Sequence, residues 1–277
     1  TSGYVCMASL IGVGDNTFDR YLDKNTMYPG GNAVNVPVFY RRHGGKAAYL
    51  GWVGNDRRGT LLLEALRAED IDVSRCRVVN HPTGRCDIEL RDGDRQFMGS
   101  IPGARKLIKL EEPDYDYISG FDIVHTSIYS FIEPYLADLG NTSKLLSFDF
   151  SSDWTQNYLE TALPHVDAAF LSAPNLGDAE LEKLVKWIHG VNHGLVVVTR
   201  GELGSAVYDG DRLYSQGIVE TNVVDTLGAG DSYIARVLYE TQLGTELGEA
   251  MRRASESAAE TCGYYGAWGH GASIEDA

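Results

Sequence analysis

Six short apolar runs, separated by longer segments of helical periodicity, set the tightest limit on how this chain can fold. "VCMASLIGVG", "AAYLGWVG", "FDIVHTSI", "KLLSFDF", "AAFLSAP" and "GLVVVTRG" are mainly apolar along their length, the pattern of strands buried on both faces. Between them lie helix-like segments such as Thr60 to Ala68, Asp178 to His189 and Ser232 to Thr241. This alternation predicts an α/β fold, a central mostly parallel sheet with helices on both faces. No low-complexity linker or internal repeat divides the chain, so residues 1–277 read as a single domain.

One stretch breaks the rhythm. From Thr83 to Arg105, "TGRCDIELRDGDRQFMGSIPGAR" alternates in sidedness about Asp92-Gly93 and carries no helical period, which predicts a β-hairpin. It is expected to form a small lid over residues 83–105, joined by part of residues 17–29, and a long insertion of this kind is either a functional flap or a decorative β-element.

Charge narrows the partners. A formal net charge of −15 repels a phosphate backbone, and no basic block offsets it, so nucleic acid is excluded as a partner. No apolar run is long enough to span a bilayer, and no basic-then-apolar leader opens the chain, Thr1-Ser2-Gly3 reading as a loose end. A cytoplasmic protein without a membrane partner is expected. Cys6, Cys76, Cys86 and Cys262 are too scattered for a zinc or redox pair and read as reduced, small hydrophobes.

The chemistry concentrates in "VVDTLGAGDSYIARVLYE", Val223 to Glu240. A strand-like entry ends at Asp225, the turn is nearly free of side chains at Gly228, Ala229 and Gly230, and a helix begins with Asp231 in its first turn. Ile234, Val237, Leu238 and Thr241 share one face and anchor that helix. Its unpaired first amides and its dipole attract an anion, and the glycines let phosphate oxygens approach the backbone. A carboxylate there would repel a phosphate that was merely bound. It fits a site where a hydroxyl loses its proton beside a phosphoryl group in transfer, or else it is a helix cap after a glycine turn.

A second glycine cluster, "PGGNAVNV" from Pro29 to Val36, follows the first strand and its loop "GVGDNTFDRY". Gly30 and Gly31 permit close approach of a ligand, Asn32 and Asn35 donate and accept, and Asp15 and Asp19 add acceptors. That inventory suits a polyhydroxylated ligand. Pro37 lacks an amide hydrogen, so a helix here is expected to begin late enough to hold it in the first turn.

The two clusters, in this order and some two hundred residues apart, resemble the ribokinase-like carbohydrate kinases, the PfkB family. "GDNTFD", "GGNAVN", "WVGNDRRG", "VTRGELGS" and "DTLGAGDS" carry the resemblance over nearly the whole chain. It implies a ribokinase-like fold and an ATP- and Mg2+-dependent phosphotransferase. Asp231 then matches the catalytic base, and Gly228, Ala229 and Gly230 the anion hole. Asp19, Gly31, Asn32 and Asn35 match sugar-binding positions, with Asp15 added; Arg95 on the flap and His125 in "DIVHT" are further candidates for ligand contact. Asn175, Thr199, Gly201, Gly204, Thr226, Gly228 and Gly230 match the nucleotide side, and residues 259–266 the stretch beside adenine. Asp178 takes the place of the family's glutamate near magnesium, and Asp225 is the candidate ligand for a monovalent cation such as K+. A homodimer through the lid is the association the resemblance implies.

Where many members continue the "F-D" strand toward a cation, this chain has Ser151 and Asp153, which argues against an already phosphorylated sugar. "GGNAVNV", "FDIVH", "SAPN" and "YYGAWGHG" look most like fructosamine kinases of the fructoselysine 6-kinase type. Fructokinase, aminoimidazole riboside kinase and ribokinase remain alternatives, as does a catalytically silent sugar-binding protein. A nicotinamide-dependent oxidoreductase is disfavoured, because "GVGDNT" lacks the third glycine of the dinucleotide fingerprint.

Overall fold

The computed structural model describes residues 7–91 and 94–274. Cys6 and the expected turn at Asp92-Gly93 lie outside the described residues. In chain order the strands are β1 (Ser9–Val13), β2 (Thr17–Tyr21), β3 (Thr26–Gly30), β4 (Lys46–Leu50), β5 (Trp52–Gly54), β6 (Arg77–Val79), β7 (Thr83–Arg91), β8 (Asp94–Gly103), β9 (Ile123–Ser127), β10 (Leu146–Asp149), β11 (Ala168–Ser172), β12 (Leu195–Thr199), β13 (Ser205–Tyr208), β14 (Leu213–Gln216) and β15 (Ala272–Ser273). The helices are α1 (Asn32–Arg42), α2 (Arg57–Ala68), α3 (Glu112–Ile118), α4 (Leu136–Thr142), α5 (Gln156–Ala162), α6 (Asp178–Asn192), α7 (Ala229–Gln242) and α8 (Leu247–Thr261).

The six apolar runs lie together in an eight-stranded sheet of order β14-β13-β12-β11-β10-β9-β1-β4. Neighbours from β4 to β12 are parallel, and β13 and β14 add an antiparallel edge. Each face carries its own core. Val34, Val38, Ile234, Val237, Leu238 and Met251 bring α1, α7 and α8 to one face, while Leu139, Leu159, Leu181 and Val185 bring α4, α5 and α6 to the other. Burial on both faces explains why these strands lack an apolar–polar alternation.

The lid is larger than a hairpin. β7 and β8 pair antiparallel, but β7 also pairs parallel with β2, which pairs with β3. A carboxy-terminal strand, β15, adds to β3, giving a second sheet of order β15-β3-β2-β7-β8. A two-residue strand has too little periodicity to be read from sequence.

Helix α1 corrects the expectation for Pro37, which sits at its sixth residue, not in its first turn. The start is fixed upstream by Asp15, whose carboxylate accepts from the amides of Asn32 at 2.7 Å and Ala33 at 3.2 Å. Pro37 leaves the Ala33 carbonyl without its helical donor. That carbonyl faces Gly12, where an added Cβ would lie 1.9 Å from it, so α1 packs here against a bare position on β1.

Candidate active site

Both glycine clusters open helices at the carboxyl ends of the parallel strands, where open α/β sheets place their ligands. Asp231 lies half-buried in the first turn of α7. Its Oδ1 accepts from Asn32 Nδ2 and its Oδ2 from Asn35 Nδ2, each at 2.7 Å. Gly228 caps the helix at φ 78°. The amide of Ser232 reaches the Gly228 carbonyl at 2.8 Å, and among the described residues the amides of Gly230 and Asp231 have no carbonyl partner. A Cβ at Gly228 would lie 2.6 Å from the Ala267 side chain, whereas one at Gly230 would meet nothing within 4 Å. Packing therefore demands a glycine at 228, while the space over 230 is open for a ligand.

The two asparagines are held in turn. Asn32 Nδ2 also donates to Asp149 at 2.8 Å, and its Oδ1 accepts from His125 Nε2 at 2.7 Å. Burial holds the His125 pKa down to about 3, so the ring is neutral: Nε2 carries the proton, and Nδ1 accepts from Ser147 Oγ at 2.8 Å. Asn35 Oδ1 accepts from Trp268 Nε1 at 2.8 Å. Burial pushes Asp149 up to about 8, with the neighbouring Asp231 charge adding to the effect, and burial raises Asp231 to about 6. Near neutral pH Asp149 holds a proton and Asp231 is ionised. Of the two, the first-turn carboxylate is the one free to take up a proton near neutral pH.

Two sequence candidates do different work. His125 is fully buried with both nitrogens engaged, so it orients Asn32 and touches no ligand. Asp15 gives its carboxylate to the α1 amides and to the hydroxyls of Ser127 at 2.7 Å and Ser130 at 2.9 Å, so it caps α1. Gly31 stands at the α1 N-cap. Asp19, on β2, is 6% exposed and, among the described residues, accepts no hydrogen bond. Its Oδ2 lies 2.5 Å from where a Gly30 Cβ would be. Burial raises its pKa to about 7.

Arg95 lies on the lid between Asp19, on which its charge acts, and the phosphate turn. It donates to Thr226 Oγ1 at 2.5 Å and lies 3.9 Å from Asp225, tying the lid to the phosphate turn. Asp225 also accepts from the Tyr21 hydroxyl, from the Gly266 amide at 3.1 Å and from the Leu227 amide at 3.1 Å. Surrounded by donors and a guanidinium, it does not fit a monovalent cation. Asn175 is exposed after β11, and Thr199, Gly201 and Gly204 follow along the end of β12. Cys262, within the stretch expected beside adenine, accepts the Val224 amide through its carbonyl at 2.8 Å. Asp178 pairs with the buried Arg200 at 2.8 Å. Among the described residues no three His, Cys, Asp or Glu side chains gather as a metal cage; Mg2+ carried on nucleotide phosphates needs only one or two carboxylates. A separate concavity of about 840 Å³, at the opposite ends of β1 and β4, contains none of these residues.

Sequence reasoning missed Asp149 and Trp268. The first ends the quoted "FDF" strand and the second lies in "YYGAWGHG", but only the fold shows that both converge on the asparagines.

A carboxylate beside a bare helix terminus, on a doubly wound sheet, fits an enzyme of phosphoryl transfer to an alcohol. Residues 6–270 match the family described as pfkB family carbohydrate kinase, and the chain belongs to it. It is 42% identical over 266 residues to the fructosamine kinase FrlD of Bacillus subtilis (strain 168), covering 95% of this chain and 93% of that protein. To the fructoselysine 6-kinase of Escherichia coli (strain K12) it is 38% identical over 262 residues, covering 95% and 100%. The ribokinase of Arabidopsis thaliana, solved with ribose and ATP, superposes with a TM-score of 0.81 over 97% of each chain at 20% identity. No helix of the described residues is long and apolar enough to cross a membrane.

Proposed function

We propose that this carbohydrate kinase uses ATP to phosphorylate the primary hydroxyl of an unphosphorylated sugar-amine adduct of the fructoselysine type. The observation that carries the reading is the Asp231 carboxylate, held on both oxygens by Asn32 and Asn35 beside the unpaired amides of Gly230 and Asp231. Asp231 takes the hydroxyl proton, and the turn from Gly228 through Ala229 to Gly230 holds the transferring group. Asn32, Asn35, Gly31 and Asp19 position the sugar. Asn175, Thr199, Gly201, Gly204 and Thr226 line the nucleotide side. Mg2+ on the nucleotide would offset phosphate charge when bound, with Asp178 reaching it only through water.

The names of the two relatives above support an acceptor bearing an amine. Among the described residues neither Ser151 nor Asp153 pairs with a cation that could hold a second phosphate; the Tyr129 hydroxyl donates to Asp153 at 2.5 Å and lies 3.0 Å from the Ser151 hydroxyl. The outer lid strand β8 exposes Phe97 and Met98, a surface suited to a homodimer through the lid. An ATP-consumption screen comparing fructoselysine, fructose, ribose and aminoimidazole riboside tests the reading. Fructoselysine is expected to be turned over with the highest kcat/KM, and a preference for any of the other three contradicts it.

A further inference from the structure

Asp225 opens the turn that runs through Thr226 to the Gly228 cap of α7, and it is buried. Its Oδ2 accepts from the Tyr21 hydroxyl, at the end of lid strand β2, and from the Gly266 amide at 3.1 Å; its Oδ1 accepts from the Leu227 amide at 3.1 Å. Burial and the Asp225 carboxylate push the Tyr21 phenol well above its ordinary value, so the hydroxyl keeps its proton and donates. Tyr21 is fully buried and edge-on to Tyr28 and Tyr265, with ring centroids 5.7 and 6.2 Å away, which fixes that hydroxyl in place. The charge comes from lid strand β8. Arg95 Nε lies 3.9 Å from Asp225 Oδ1, while the other arm of the guanidinium donates to Thr226 Oγ1 at 2.5 Å. A carboxylate offers about four lone-pair sites, so these donors and the guanidinium use nearly all of them. The Cys262 carbonyl beside the turn is also taken, by the amides of Val224 at 2.8 Å and Asp225 at 3.2 Å. A monovalent cation needs the reverse, several oxygen lone pairs converging on one point.

We propose that Arg95 is a built-in replacement for a monovalent cation: with the Tyr21 hydroxyl it offsets the Asp225 charge and sets the phosphate turn, so this kinase works without K+ or any other monovalent ion. Both residues belong to the lid sheet, and both grip the two residues that begin the turn. The turn is therefore held from the lid. Arg95 and Tyr21 are positioning residues, acting on the phosphoryl group through Asp225 and Thr226, and a guanidinium suits the task because it carries a permanent charge and a fork of donors at once. The proposal does not depend on which acceptor the kinase uses.

The wild type is tested by its rate of ATP-dependent phosphorylation of fructoselysine in potassium, sodium and tetramethylammonium chloride at one ionic strength. Equal rates in the three salts are expected, and a rate several-fold higher in potassium overturns the proposal. Arg95→Ala removes the charge, and its kcat in tetramethylammonium is expected to fall about 10- to 100-fold, the scale of a lost charged hydrogen bond. Added guanidinium or potassium chloride is expected to restore much of that loss, and Arg95→Lys to avoid part of it. A loss that is the same in every salt, with no recovery on guanidinium, gives Arg95 a structural role alone and overturns the proposal. Titration calorimetry of MgADP in the same salts needs no acceptor. Wild-type affinity is expected to be independent of the salt, and that of Arg95→Ala to recover with potassium or guanidinium. Wild-type affinity that rises with potassium, or a weakened variant indifferent to the salt, again contradicts the assignment. If fructoselysine is not turned over, the acceptor reading fails while the calorimetry still decides on Arg95.

Discussion

Asn32 Nδ2 reaches Asp231 Oδ1 at 2.7 Å across 199 residues of sequence, closing the first glycine cluster onto the second. The same nitrogen touches Asp149, so one amide serves two carboxylates of unlike protonation. That asymmetry defines the site.

The pH profile follows from it. The base must be ionised, and burial holds Asp231 up to about 6, above the ordinary carboxylate value. The log of kcat/KM is expected to climb with slope near one below about pH 6 and flatten above it. A pH–rate series with saturating ATP checks this, and a limb near pH 4 would show an unperturbed group at work.

The two turn glycines should separate fold from function. Gly228→Ala forces a side chain into positive φ and against Ala267, at a cost of about 1–3 kcal/mol in unfolding free energy. Gly230→Ala meets open space, so its stability is expected to stay near wild type while its methyl crowds the phosphoryl group and turnover falls. Denaturant melts and steady-state kinetics on both variants make the comparison.

His125→Leu removes the donor to Asn32 and the acceptor for Ser147. Two buried polar groups lose their partners, which costs about 1–3 kcal/mol each when unrelieved. Turnover is expected to fall as well, because Asn32 loses its orientation, and His125→Gln, which can still donate to Asn32, should recover part of both. Urea unfolding and kcat for the pair check it.

Stability itself should respond to pH in an unusual direction. Asp19, Asp149 and Asp231 are raised to about 7, 8 and 6, so all three folded values exceed the unfolded one. Their contribution is fully present below about pH 4, where they are protonated in both states, and is lost as pH rises from there, by up to about 1.4 kcal/mol per pH unit for each group until its own folded value of about 6, 7 or 8 is passed. Scanning fluorimetry is expected to show Tm falling over that window, and a Tm that rises there contradicts the burial of these acids.

The sheet was legible because strands buried on both faces and the helices between them leave a local signature, and the bare turn was legible because few other needs strip a chain to Gly-Ala-Gly. The machinery around Asn32 and Asn35 was not. His125, Asp149 and Trp268 act through hydrogen bonds spanning 93, 117 and 233 residues, and no periodicity encodes such partners. Pro37 misled for a related reason: a cap supplied by Asp15, 17 residues before the helix starts, outweighed the local rule.

The most direct measurement is single-turnover phosphoryl transfer by Asp231→Asn, with sugar affinity determined in parallel. The variant is expected to bind sugar within a few-fold of wild type and to transfer phosphate about 10²- to 10⁴-fold more slowly. Transfer at a near-normal rate would mean that another group accepts the hydroxyl proton.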